Sequence, residues 1–211
     1  VRSGSSSRNS ETDRRPATID AQLILASGSP QRRAILEQLG VAFTVIVSDA
    51  EELESGEPEQ VALENARRKA TAVSDRLRTT SEEAVILGVD TLVELDGEIY
   101  GKPPDCERAR ATLGALAGRT HRVVSGVCVL DGEDARDGTA VTTVTFRPLT
   151  PTAIEWYLGT GEWRGRAGGY AIQERGATLV SSISGDYLNV VGLPVAKLLE
   201  LIPSLLFPAV F

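Results

Sequence analysis

The sequence predicts an α/β fold, a mixed twisted sheet flanked by helices, and three features carry that expectation. Apolar, β-branched runs at residues 22–27, 42–48 and 84–89 alternate with segments whose apolar residues recur at helical spacing. A tight turn at Asp96-Gly97 and a polar connection holding Gly132 and Gly138 insert hairpins into that alternation, so antiparallel pairs join the parallel ones. The chain has 211 residues, 42% of them hydrophobic and 24% charged, enough for one substantial core.

Each element has a local reason. Residues 1–20, rich in Ser and Arg but without an apolar centre, read as a disordered leader rather than a secretory signal; residues 21–203 form the domain and 204–211 an apolar tail. The first strand runs into Ser27-Gly28-Ser29. Ser29 is a credible cap for a helix over 30–39, with Pro30 at the first position, where a missing N–H costs nothing, and Gly40 as the stop. After the second strand, the acidic stretch 49–59 with Gly56 and Pro58 is a loop. A helix over 59–77 presents Ala66, Ala70, Val73 and Leu77 on one face and Arg67, Arg68, Lys69 and Arg76 on the other. Strand 84–89 ends at Asp90-Thr91, and a hairpin over 92–100 follows. Then come a helix at 105–116, a strand at 121–130, a strand at 139–147 and a short helix at 153–158. The glycine-rich stretch 159–169, with Arg164 and Arg166, reads as a flexible loop able to close over a ligand. A strand at 177–183 and a helix at 193–201 complete the domain.

Composition removes several functional classes. A net charge of −7 leaves no overall basic field for nucleic acid, and 5% aromatic content offers few rings for base stacking. Pro194 and Glu200 break the longest apolar runs, so no membrane span is indicated. Cys106 and Cys128 lack a CxxC spacing, which points to a reducing cytoplasm and no zinc site. His121, the sole histidine, reads as a packing or hydrogen-bonding residue and excludes a multi-histidine metal centre.

The remaining polar residues suggest a phosphate site. A helix N-terminus leaves backbone N–H groups unpaired and carries partial positive charge, so the turn at Ser27-Gly28-Ser29 with Gln31, Arg32 and Arg33 behind it suits an anion. Asp90, at the carboxyl end of a central strand, faces the crevice where α/β proteins bind ligands. The hairpin that follows returns the chain toward its start, bringing Lys102 back near Asp90. Glu51 and Glu52 follow their own strand in the same sense. Glu51 or Glu52 is therefore, together with Asp90, a candidate ligand for a divalent cation shared with substrate phosphates.

Taken together, these segments resemble the Maf family of nucleoside triphosphate pyrophosphatases. The resemblance rests on Leu25-Ala26-Ser27-Gly28-Ser29-Pro30 with Arg32, Val47-Ser48-Asp49-Ala50-Glu51-Glu52, Gly88-Val89-Asp90-Thr91, and Gly97-Glu98-Ile99-Tyr100-Gly101-Lys102-Pro103. Ala167-Gly168-Gly169-Tyr170-Ala171-Ile172-Gln173 and Gly185-Asp186-Tyr187-Leu188-Asn189-Val190-Val191-Gly192-Leu193-Pro194 complete it, in order, over residues 22–202.

The resemblance implies an elongated Maf/ITPase-like fold with a central cleft. It implies cleavage of a nucleoside triphosphate to the monophosphate and pyrophosphate with a divalent metal, Mg²⁺ or Mn²⁺, held by Glu51 and Asp90, and a homodimer. Asp90 matches the proton acceptor of that family; Glu51, Arg32, Lys69 and Lys102 match its other functional polar positions; Thr91 and Gln173 match positions tied to base choice, of the types found in the dTTP and UTP branch. Gln31 departs from the family, which has Arg there; the change removes a permanent charge and a bidentate fork and leaves room for a shifted substrate range, 7-methyl-GTP included. In this reading Ser29, Gln31, Arg32, Lys69, Thr91 and Gln173 bind substrate, while Asp90, Glu51 and Lys102 take part in catalysis. The rival from another class is a nucleotide-binding regulator of septum formation with little turnover, which needs the cations but has little use for Asp90.

Overall fold

The computed structural model describes residues 22–78 and 84–206. The leader, and the tail beyond Leu206, fall outside the described residues. Among the described residues seven strands form one mixed sheet: β1 (Gln22–Leu25), β2 (Phe43–Val45), β3 (Ala84–Leu95), β4 (Glu98–Tyr100), β5 (Thr120–Asp131), β6 (Asp134–Phe146) and β7 (Val180–Ser184). Their order is β2-β1-β3-β5-β6-β7, with β4 on β3. β1 is parallel to both β2 and β3, and every other pairing is antiparallel. Six α-helices among the described residues flank the sheet: α1 (Pro30–Gln38), α2 (Pro58–Leu77), α3 (Cys106–Leu116), α4 (Pro151–Thr160), α5 (Tyr187–Val191) and α6 (Val195–Leu201).

Several boundaries differ from the expectation, each for a physical reason. Asp90 and Thr91 do not end a strand. β3 runs through them because β5 pairs with it from Val85↔Asp131 to Glu94↔Arg122, and a continuous ladder overrides the low strand propensity of Asp. β6 likewise begins at Asp134, so Gly138 lies inside a strand and only Gly132-Glu133 turn the hairpin. The glycine-rich stretch is ordered as turns and a 3₁₀ segment at Ala167–Gly169, held by the Gly168 N–H donating to the Gly101 carbonyl at 3.1 Å. α5 is an additional short helix, capped when the Asp186 carboxylate accepts from the Leu188 N–H at 2.8 Å.

The pairing of β3 creates the cleft. On one edge β1 pairs with β3 only as far as Leu25↔Leu87, and β4 takes up the same strand from Val93↔Tyr100. Residues 88–92 are left without a strand partner between β1 and β4, and Asp90 and Thr91 sit in that opening. Ligand crevices of open α/β sheets form where neighbouring connections diverge in this way.

The two sheet faces pack separately. α2 lays Ala62, Ala66, Ala70 and Val73 against Ile24, Ile86 and Val124, while α1 and α6 cover Leu25, Leu87 and Val89 on the other face. α3 and α4 close the far end over Val93, Leu95 and Phe146. α2 approaches the sheet closely because Gly88 and Gly126 lie beneath it: a Cβ on either would stand 2.2 Å from the carbonyl oxygen of Ala66 or Ala62. Gly126→Ala is therefore expected to lift α2 and destabilise the fold by about 1–3 kcal/mol or more, read as a lower urea midpoint with an unchanged m-value.

Candidate active site

The close seating of α2 fixes the acid–base chemistry of the cleft. Asn65 and Lys69, one helical turn apart, both reach Asp90: Lys69 Nζ donates to Oδ1 at 2.6 Å and Asn65 Nδ2 to Oδ2 at 3.0 Å. Lys69 also meets Glu52 Oε1 at 2.7 Å, so one ammonium joins two carboxylates. Burial pushes the Asp90 carboxyl up, but the Lys69 charge and hydrogen bond, helped by Arg32 and Asn65, outweigh it and hold the group below the ordinary carboxylate range. Asp90 is thus ionised at neutral pH.

Thr91 points to the opposite face of the sheet, where Arg32 gathers three separate segments. Its Nη1 donates to Ser27 Oγ at 2.8 Å, its Nη2 to Thr91 Oγ1 at 3.1 Å and its Nε to the Gly192 carbonyl at 2.8 Å. Burial pulls this guanidinium down from its usual value while Asp90 and Glu52 pull it back up. Thr91 Oγ1 also lies 2.8 Å from Ser125 Oγ. Ser29 occupies the N-cap position of α1 without capping it; its hydroxyl donates to Gln31 Oε1 at 3.1 Å. The Ser29 N–H donates to Ser27 Oγ at 3.2 Å, while the N–H groups that follow it in the helix have no cap from the Ser29 side chain and are open to an anion.

Two cavities meet here. The first, of about 360 Å³, is lined by the turn from Ser27 to Arg32 and by Glu52, Lys69, Thr91, Lys102, Arg166, Tyr170 and Gln173. The second, of about 520 Å³, shares Glu52, Thr91 and Lys102 with it and adds Asn65, Asp90 and Arg108. The Lys69–Asp90 pair stands at the partition, with Lys69 facing one chamber and Asp90 the other.

Of the residues singled out in the sequence, Ser29, Gln31, Arg32, Lys69, Thr91, Lys102 and Gln173 line the first cavity and Asp90 the second. Glu51 lines neither. It is exposed, with its backbone carbonyl accepting from Arg68 Nη1 at 3.3 Å, and its neighbour Glu52 is the acid that enters the cleft. Lys69, assigned by its helix position to a charged outer face, is buried. Asn65 went unremarked, although its position four residues before Lys69 puts both on one helix face. Nothing local in the sequence marks Ser125 or the Gly192 carbonyl as members of the site. His121 lies in the core, its Nε2 2.9 Å from the Tyr170 hydroxyl, and burial pulls its pKa down to about 4, so it is neutral at pH 7.

The donor set suits a divalent cation of the Mg²⁺ kind. Glu52 and Asp90 converge on one point, now the Lys69 ammonium, and such a cation is commonly held by one or two carboxylates with substrate phosphates and water supplying the rest. Among the described residues no cluster of three or more His, Cys, Asp and Glu forms a self-sufficient metal cage.

Fold and site define an α/β protein with an ionic crevice at a break in a mixed sheet, cations on one side and the ionised Asp90 carboxylate at the partition. The profile of the family described as Maf-like protein matches residues 22–205, and the chain belongs to that family. A relative from Symbiobacterium thermophilum is 43% identical over 89% of this chain and 95% of its own. One from Pyrococcus furiosus is 43% identical over 86% and 94%, and one from Deinococcus radiodurans 41% over 89% and 94%. All three bear the name dTTP/UTP pyrophosphatase. Among solved structures, a HAM1 protein from Coxiella burnetii aligns over 60% of this chain and 73% of its own, with 15% identity and a TM-score of 0.40.

Lys69→Met isolates the electrostatics of the pair. In the wild type the depressed Asp90 pKa contributes stability that is present above the unfolded value, about 3.9, and is lost as pH falls through the folded value. Without Lys69, burial dominates and raises the Asp90 pKa, so the variant is destabilised most at pH 7 and recovers ground as the pH is lowered toward 5. Urea midpoints at the two pH values check this, and adding Asp90→Asn to Lys69→Met removes the pH dependence.

Proposed function

We propose that the protein is a nucleoside triphosphate pyrophosphatase that hydrolyses dTTP and UTP to the monophosphate and pyrophosphate. The observation that carries this reading is the ionised Asp90 held at the partition of a cationic cleft by Lys69 and Asn65. The names of relatives above 40% identity, covering nearly their whole length, agree with it. A protein that only sensed nucleotide would have use for the cations but none for a buried carboxylate fixed beside them.

A triphosphate resists water because its oxygens repel the nucleophile, so the site must neutralise charge and hold the attacking and leaving oxygens in line. The N-terminus of α1 and the cations of the first cavity receive the phosphate chain. Arg32 is locked by Ser27, Thr91 and Gly192 and offers its remaining N–H donors from a fixed position. Asp90 accepts a hydrogen bond from the attacking water and takes its proton as the water oxygen bonds to phosphorus; the bridging oxygen of the α–β anhydride leaves with the other phosphate. Lys69 keeps Asp90 ionised and aimed, and Lys102, which lines both cavities, faces the charge that develops on the leaving group. Asp90 with Glu52 would hold a Mg²⁺ or Mn²⁺, which would supply further neutralisation of phosphate charge. Glu51, the matched family position, lines neither cavity, and Glu52 takes the place in the cleft that the resemblance assigns to Glu51.

Thr91 and Gln173 are the polar groups for base choice, with Gln31 beside them on the wall of the same cavity. The two free cysteines, Cys106 and Cys128, suit a reducing compartment, and we place the protein in the cytoplasm.

The reading is tested with a panel of dTTP, UTP, CTP and 7-methyl-GTP, with Mg²⁺ or Mn²⁺, scored for pyrophosphate against orthophosphate. Pyrophosphate from dTTP and UTP is expected; orthophosphate, or a preference for the methylated purine, overturns the assignment. Asp90→Asn is expected to keep the fold and lose about 10²–10⁴ in kcat, a change resolved by steady-state kinetics alongside circular dichroism.

A further inference from the structure

The cations of the first cavity are not equally available. Four line it, Arg32, Lys69, Lys102 and Arg166, against the single carboxylate Glu52. Lys69 is neutralised between Asp90 and Glu52, and all three nitrogens of Arg32 already donate to the protein. Arg166 is different. Among the described residues its side chain pairs with Glu174 alone, half-exposed and 3.3 Å from Nη2, and its buried Nε has no hydrogen-bond partner.

A buried guanidinium N–H without an acceptor is costly, and a guanidinium presents its donors in a fork shaped for phosphate or carboxylate oxygens. The backbone holds that fork in place. The Arg166 N–H donates to the Trp163 carbonyl, the Arg166 carbonyl accepts from Gly169, and the next turn is tied by Gly168 to Gly101, the residue before Lys102. Arg166 and Lys102 are thus delivered to the cleft by two segments joined to one another, in the same cavity as the uncapped N-terminus of α1.

We infer that Arg166 binds the phosphate chain of the substrate, exchanging its contact with Glu174 for phosphate oxygens when the nucleotide arrives. The inference rests on the proposed triphosphate substrate. Glu174 then acts as a competitor for the guanidinium, which holds it in place in the empty site and is displaced in the filled one.

The test measures binding of α,β-methylene-UTP, which cannot be cleaved at the α–β position, by calorimetry, together with KM and kcat for UTP. Arg166→Gln is expected to weaken analogue binding and raise KM about 10–100-fold, with a smaller effect on kcat, and Arg166→Lys to recover part of the loss. Glu174→Gln is expected to tighten binding, because the competing carboxylate is gone. A merely structural ion pair predicts the reverse, Glu174→Gln weakening binding as Arg166→Gln does, and that result overturns the inference. So does wild-type affinity in a folded Arg166→Gln. No analogue binding by the wild type overturns the triphosphate reading itself, and the role of Arg166 with it; wild-type binding that survives Arg166→Gln overturns only the latter.

Discussion

The site depends on one buried ammonium. Lys69, almost removed from solvent, lies between the buried carboxylate of Asp90 and the more exposed one of Glu52, and a buried ammonium with no carboxylate beside it would be costly. A buried ion pair is an uneconomical way to stabilise a fold, since desolvation cancels much of the attraction. Its value lies in what it fixes: an ionised carboxylate of defined orientation at the junction of two cavities. The reach of Lys69 to Asp90 depends in turn on the bare backbone of Gly88 and Gly126, which brings the helix axis close enough for Asn65 to assist. Packing and electrostatics are therefore one constraint here.

The break in the edge of β3 explains why neighbouring residues serve different ends. Adjacent side chains on a strand point to opposite faces. Asp90 meets α2 while Thr91 meets Arg32, and in the interior of a complete sheet the two would have been sealed from each other. Because β1 ends beside Leu87 and β4 reaches no further along β3 than Val93, both can be approached from the same opening. The second neighbour on β5 completes the asymmetry: Gly126 lies opposite Asp90 and makes room for a helix, whereas Ser125 lies opposite Thr91 and touches its hydroxyl.

Much of this was legible in the sequence, and the failures share a cause. The strand, turn and helix around Ser27-Gly28-Ser29-Pro30 were readable because capping and proline preferences are local. The run of β3 through Asp90 was not, because its continuation is decided by β5, more than thirty residues away on average along the chain. The burial of Lys69 escaped a helical-face argument because that argument counts apolar neighbours and cannot see a carboxylate waiting on another element. Which of two consecutive acids, Glu51 or Glu52, turns inward is a matter of loop conformation, and periodicity carries no information about it. Arg166 was visible as a charge in a glycine-rich loop, but the solitude of its Nε belongs to the folded state alone.

Arg32 hands one guanidinium to Ser27, to Thr91 and to the carbonyl of Gly192, which is 160 positions away in the sequence. A nascent chain emerging from the ribosome can form β1 and α1 early, yet the anchor that fastens this arginine arrives only once α5 and the Gly192 that follows it have been synthesised. Until then the guanidinium lacks its carbonyl anchor, so the fastening of Arg32 trails the formation of the helix that carries it.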